Sequence, residues 1–291
     1  MSEHVPVLLP QALELLAIRP DGIYVDATFG AGGHSRAILE RLHSGRLIAL
    51  DADPQAPDRA AQVVHRAFTF EPSNFRELSN ALDRLEIESV DGVLYDLGVS
   101  SMQLDDASRG FSFRESAPLD MRMNPNTGKS AYDVLMTSSE SELADIFFHY
   151  GQERSARRIA RLIVQRRAAG KLPSRTVEFA QLISGMLHRP GHRERIHPAT
   201  RVFQALRIAV NDELDALRES LDGAAARLRT AGRIVAISFH SLEDRIVKHG
   251  LREDARLDVI TRKPIVPAQA EIDRNPRARS AKLRAAQRKA S

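Results

Sequence analysis

A chain of 291 residues that is 43% hydrophobic and 27% charged can bury a substantial core, and at about 150 residues per domain it allows two domains or one large one. It contains no cysteine, which excludes disulfides, thiolate metal sites and cysteine nucleophiles and points to the cytoplasm. No apolar run approaches the ~18 residues of a membrane span, and the opening MSEHVPVLLPQALELL lacks the order of a signal peptide.

The first hundred residues alternate short apolar runs with helical patterns. Strands are expected at Ile23–Asp26, after the turn Arg19-Pro20-Asp21-Gly22, and at 47–51, 68–70 and 93–96. Helices are expected at 35–42, 54–66 and 75–85, the last with Phe75, Leu78, Leu82 and Leu85 on one face. This rhythm predicts a parallel sheet with helices on both faces. From about Asp105 to Thr200 only helices and loops are expected. Ser139 and Glu142 form a capping box there, and a basic amphipathic helix carries Arg154, Arg158, Arg161 and Arg167. A long helical pattern follows Pro198, with Val202, Leu206, Ala209, Leu217 and Leu221 in a stripe, then a strand at 234–238 and a helix at 242–251. The expected architecture is one α/β, Rossmann-like domain (1–105 and 201–291) with an all-helical domain (106–200) inserted after the fourth strand.

Net charge is only +4, but Lys and Arg are unevenly spread. Residues 274–291 hold seven and no acid; residues 153–175 hold eight against one Glu. Such clusters suit a polyanion, nucleic acid above all, and equally a solvated helix face and a frayed tail; the tail's alternation over residues 279–284 also fits a closing sheet strand.

The run Val25-Asp26-Ala27-Thr28-Phe29-Gly30-Ala31-Gly32-Gly33-His34-Ser35 reads as strand, glycine turn and helix start. That geometry brings backbone close to a nucleotide-like ligand. Ser35 stands where the dinucleotide fingerprint needs its third glycine, which weakens a pyrophosphate reading. Asp51, at the end of the second strand, is placed to accept two ribose hydroxyls; the alternative is a helix cap, for which Asp53 is better placed. Asp26, Asp51, Asp96 and Ser238 all close strands, and open α/β sheets bind ligands beyond those ends. Thr127-Gly128-Lys129-Ser130 imitates a phosphate loop but lacks the earlier glycine and the strand. His188, His192 and His197, interrupted by Pro190 and Gly191, fit a basic loop near RNA better than a zinc site.

Several stretches together resemble the bacterial 16S ribosomal RNA cytosine-N(4) methyltransferases: Thr28 to Ser35; Asp96-Leu97-Gly98-Val99-Ser100-Ser101-Met102-Gln103-Leu104-Asp105; Arg109-Gly110-Phe111-Ser112-Phe113; Pro118-Leu119-Asp120-Met121-Arg122-Met123; His197-Pro198-Ala199-Thr200-Arg201; Ser238-Phe239-His240-Ser241-Leu242-Glu243-Asp244-Arg245; and Asn275-Pro276-Arg277-Ala278-Arg279-Ser280. The resemblance runs from about His4 to the C-terminus. Met102 replaces a usual proline, and Ala117 and Asn124 replace the commoner glycine and aspartate beside Pro118–Met123.

The resemblance implies a class I S-adenosylmethionine-dependent fold, methylation of the 4-amino group of one cytidine in the decoding region of the small subunit, and action on an assembled or nearly assembled subunit by a monomer or homodimer. It also implies cofactor contacts from Gly32, Gly33, His34, Asp51, Phe75, Asp96 and Gln103. The reaction requires no metal. Its amine is a poor nucleophile, so the protein must align it and accept its hydrogen bonds; Asp96 is expected to do so, or to bind cofactor alone. Phe111 and Phe113 are candidates for stacking on a splayed base, or core residues. A nicotinamide oxidoreductase is disfavoured by Ser35 and the insertion. An inactive RNA-binding assembly factor need not keep the glycine loop, Asp51 and Asp96. A DNA cytosine methyltransferase would need a proline-rich tetrapeptide at 96–99.

Overall fold

The structure is a computed structural model that describes residues 6–187 and 197–290. The chain forms two compact units, one of residues 1–98 and 214–291, the other of residues 99–213.

In chain order the first unit contributes α1 (Leu9–Leu16), β1 (Ile23–Asp26), α2 (Gly33–Leu39), β2 (Arg46–Leu50), α3 (Ala56–Ala60), β3 (Phe68–Glu71), α4 (Leu78–Arg84) and β4 (Val90–Asp96). The second contributes α5 (Ser101–Asp105), α6 (Ala131–Thr137), α7 (Glu140–His149), α8 (Ala156–Ala168), α9 (Thr176–Leu187) and α10 (Thr200–Asn211). The first unit resumes with α11 (Glu213–Arg227), β5 (Leu228–Ser238), α12 (Ser241–Glu253), β6 (Leu257–Val259), α13 (Gln269–Arg274) and β7 (Lys282–Arg288). No helix among the described residues is long and apolar enough to cross a membrane.

The seven strands lie in the order β3-β2-β1-β4-β5-β7-β6. β1 to β5 are parallel and β7 runs antiparallel to both its neighbours. The α/β, Rossmann-like sheet expected from the sequence is therefore present. Side chains alternate across it with period two. Val25, Ile48, Val93, Tyr95 and Ile234 join α4, α11 and α12 in one buried cluster, and Tyr24, Leu47, Leu94, Val235 and Ile237 join α1 and α2 in another. Both faces are covered, which is why these strands read as continuous apolar runs.

The second unit has its own core, built from Leu135, Phe147, Ile159, Ile163, Phe179, Val202 and Leu206 among others. Its limits differ from the expected 106–200 because α10 buries its apolar stripe in this helical core. The helical pattern after Pro198 is accordingly not one helix. It breaks at Asp212, which takes a left-handed φ of 49°.

The basic C-terminal segment is not a frayed tail. Its alternation Leu283, Ala285 places buried side chains in β7, and Arg284 and Lys282 donate to Asp244 at 2.7 and 3.0 Å. Burial pushes the Asp244 carboxyl up, but these hydrogen bonds outweigh it and hold the group below the usual carboxylate range.

Candidate active site at the carboxyl edge of the sheet

The strand order reverses between β1 and β4, and ligands of open α/β sheets bind at that switch point, beyond the carboxyl ends. Asp26 ends β1 and Asp96 ends β4 on either side of it.

The glycine turn between β1 and α2 is braced on three sides. Asp26 Oδ1 accepts the Thr28 N–H at 3.1 Å and its Oδ2 accepts the Ser35 hydroxyl at 2.6 Å. Asp51 Oδ2 accepts the Gly30 N–H at 2.8 Å. The Thr28 hydroxyl accepts the Asp96 N–H at 2.7 Å. Gly32 has a left-handed φ of 76°, and a Cβ on Gly33 would sit 2.3 Å from Pro6 Cγ, so a side chain is strained at the first position and blocked at the second.

The expected residues then separate by role. Asp26 is buried and spends both oxygens on its own turn, so it supports the loop. Burial, with the Asp51 charge adding to it, pushes its carboxyl up to about 6 despite those two hydrogen bonds. Asp51 also accepts the Asp53 N–H, at 2.9 Å; each of its oxygens thus holds one backbone donor and keeps acceptor capacity for another. Its carboxyl is raised, chiefly by burial. Asp53 accepts the Gln55 N–H at 3.0 Å, but it is not the helix cap expected of it: α3 starts at Ala56 with Gln55 at the N-cap and no side-chain cap bond. Ser238 is buried and donates to the Lys282 carbonyl at 3.3 Å, so its hydroxyl serves the β5–β7 edge. Phe75 opens a 3₁₀ turn before α4, half-buried and edge-on to Tyr95 at 6.2 Å between centroids.

Asp96 is the outlier. Its Oδ1 atom is shielded from water and has no hydrogen-bond partner among the described residues. Burial first, then the negative charges of Asp26 and Glu243, push its carboxyl up to about 8. His34 Nδ1 lies 3.5 Å from Asp96 Oδ2, and His34 Nε2 lies 3.2 Å from the Val7 carbonyl oxygen. Glu243 was not singled out from the sequence. It caps α12 in a reciprocal box with His240 and accepts the N–H groups of Phe239 and His240 at 2.8 and 3.2 Å. The signal was present as His240-x-x-Glu243 directly after a strand.

In the second unit, Gln103 stands at N3 of α5. Its Oε1 accepts the Ser100 N–H at 3.1 Å, closing a capping box. Phe111 is buried, and Phe113 packs on Phe203 and His197 at 4.8 and 4.7 Å, which makes both core residues rather than stacking platforms. Of the loop from His188 to His197, residues 188–196 lie outside the described residues.

The model of the MraW methylase family matches residues 1–289. Curated relatives named ribosomal RNA small subunit methyltransferase H include one from Cyanothece, 51% identical over 98% of this chain and 94% of its own. Another from Carboxydothermus hydrogenoformans is 48% identical over 98% and 97%. Among solved structures, an rRNA methylase from Streptococcus thermophilus superposes over 97% of this chain and 94% of its own, at 11% identity and a TM-score of 0.45.

Proposed function

The chain belongs to the MraW methylase family, and from that membership we propose that it methylates small-subunit ribosomal RNA: it transfers the methyl group of S-adenosylmethionine to the 4-amino group of a cytidine in the decoding region of 16S RNA. The curated relatives carry a small-subunit methyltransferase name, which supports the RNA and the subunit. The cytosine 4-amino group is supported by chemistry at Asp96, and this is the observation that carries the reading. An exocyclic amine gives up its ring delocalisation as it is methylated, and it needs an acceptor for its N–H. A carboxyl whose oxygen is shielded and unpartnered at the end of β4 offers one.

The residues at the carboxyl edge fit the methyl donor. Asp51 keeps acceptor capacity for ribose hydroxyls, the turn through Gly32 and Gly33 admits close approach of backbone, and Phe75 offers a half-buried ring for an adenine. When bound, the sulfonium supplies a methyl group already activated for transfer, so the reaction calls for no metal. Gly32, Gly33, His34, Asp51, Phe75, Asp96 and Gln103 are the proposed contacts. Asp96 also aligns the amine. We propose the cytoplasm as the compartment, and a nearly assembled small subunit as the substrate.

The test is methyl transfer from labelled S-adenosylmethionine to free 16S RNA, to small subunits and to DNA, followed by nucleoside analysis. N4-methylcytidine at one decoding-region position is expected. A label on another base, or on DNA alone, overturns the reading.

A further inference from the structure

Asp96 sits among acids. Asp26 and Glu243 are the charged groups that raise it, and no Lys or Arg forms an ion pair with it among the described residues. A carboxyl so placed holds its proton, and a protonated carboxyl is a poor acceptor for an amine. Among the described residues the basic side chain paired with it is His34, itself buried.

The tautomer follows from His34's other contact. The Val7 carbonyl can only accept, so Nε2 at 3.2 Å carries a hydrogen. Nδ1, 3.5 Å from Asp96 Oδ2, then faces it either as a lone pair toward a protonated carboxyl or as an N–H toward a carboxylate. Both arrangements place one proton between the two groups, and titration belongs to the pair.

Building on the methyl transfer proposed above, we infer that His34 is the positioning residue that keeps Asp96 available as a carboxylate, by holding their shared proton on Nδ1, and that the pair receives the proton released by the target amine. As the N–C bond forms, the S–C bond breaks and its electron pair stays on sulfur. The N–H bond then breaks, its electrons remain on nitrogen, and the proton passes to Asp96. The pair now holds two protons and returns one to solvent. Asp26, committed to Ser35 and Thr28, and Glu243, committed to the backbone of Phe239 and His240, hold no proton for the pair; their charges act on Asp96.

Two measurements test this. The first is the pH profile of single-turnover transfer at saturating methyl donor for the wild type and His34→Gln, a side chain of similar reach that cannot hold the proton. The wild-type acid limb is expected in the ordinary histidine range, about 6–7. The H34Q limb moves up by about one pH unit or more; for a one-unit shift the loss is about threefold at pH 7, rises toward tenfold below pH 6 and narrows steadily toward pH 9. An H34Q profile parallel to the wild type's, merely scaled down, overturns the relay. The second is a ¹⁵N-histidine NMR titration of the protein alone, with and without Asp96→Asn. The Nε2–H tautomer is expected, and D96N lowers the His34 pKa by about one unit or more because the opposing carboxylate is gone. An Nδ1–H tautomer, or a titration D96N does not move, overturns the pair. This reads the dyad without turnover. A wild type that methylates nothing would sink the proposed function and the relay's catalytic half, while the NMR still decides the pair.

Discussion

β4 carries two acids five residues apart, Asp91 buried and Asp96 half-buried, and they are treated in opposite ways. Asp91, near its amino end, accepts the Ile23 N–H at 2.7 Å and is bridged by Arg19 at 2.7 Å and Arg229 at 3.0 Å. Asp96, at its carboxyl end, has an unpartnered oxygen, two acids as neighbours and one histidine. A buried carboxylate is expensive unless paired and hydrogen-bonded. The amino edge satisfies that rule and the carboxyl edge breaks it. Underpaired acids of this kind concentrate at functional sites, as the role proposed for Asp96 requires.

A matched pair of variants separates the two acids most directly. Asp96→Asn should slow single-turnover methyl transfer at saturating donor by about 10²–10³, the usual loss when one preorganised polar partner of a developing charge is removed. Asp91→Asn should leave the rate of the folded protein within about threefold, since Asp91 faces away from the carboxyl edge. Equal losses would make Asp96 another structural acid. Asp51→Ala should come next, weakening S-adenosylmethionine binding by about 1.5–3 kcal/mol, as lost charge-assisted hydrogen bonds do. Calorimetry that finds unchanged affinity would remove Asp51 from the site.

Much of this asymmetry was legible in the sequence, because strand ends are local. β1 was bounded by Arg19-Pro20-Asp21-Gly22 before it and the glycine turn after it, and Ile23–Asp26 is the strand observed. Asp51 and Asp96 followed from the same logic. The contacts that assign roles were not legible, because they join distant residues. Asp96 meets His34 across 62 positions, and the cations on Asp91 come from the turn before β1 and from β5. The helix break at Asp212 was hidden for the same reason. Asn211 turns its side chain onto the Met121 carbonyl and the Met123 N–H at 2.7 Å each, partners that no helical periodicity reports. β6, three residues long and mostly exposed, leaves no periodic trace. The C-terminal basic cluster was legible in part: the alternation over 279–284 pointed to a closing strand, and β7 covers 282–288, but composition alone does not separate an arginine facing solvent from Arg284, buried on Asp244.

Stability should separate the two acids again, with a smaller effect. The Asp96 carboxyl lies at about 8 when folded against 3.8 as an ordinary carboxyl. The folded state therefore binds the proton more tightly, and the group costs stability increasingly as pH rises from about 4 to about 8. Asp96→Asn should stabilise the protein by ~1–2 kcal/mol at pH 8 and by much less at pH 5, the imidazolium of His34 offsetting part of the penalty. Asp91→Asn should destabilise by ~1–3 kcal/mol, since it removes the buried acid shared by Arg19, Arg229 and the Ile23 N–H. Denaturant unfolding at the two pH values checks both signs. A destabilised Asp96→Asn at pH 8 would mean that the carboxyl edge is as well satisfied as the amino edge.

The smallest effect should come from charges that are exposed and at most weakly paired. On α8, Ile159, Ala160 and Ile163 face the helical core while Arg157, Arg158 and Arg161 are exposed. Arg161 reaches Glu140 at 3.5 Å with both groups largely in solvent, a pair of little strength. Arg167 differs: it is half-buried and donates to the Leu135 and Ser138 carbonyls at 2.9 and 2.8 Å, so it belongs to the fold. Exposed guanidinium groups cost the protein nothing to hold and suit phosphates, which release counterions when neutralised. Replacing Arg157, Arg158 and Arg161 with Gln should lower the salt slope of small-subunit binding by about 1–3 units. That is roughly a twofold to eightfold smaller change in affinity for each doubling of salt. Cofactor affinity should be unchanged, because the cofactor contacts proposed for Asp51 and the glycine turn lie in the other unit. Arg288→Gln serves as the contrast. Its side chain donates to the Ala225 carbonyl, so it should lower stability and leave the salt slope alone. A triple variant with the wild-type slope would make α8 a solvated face, and the phosphate contacts would have to be sought on other basic residues.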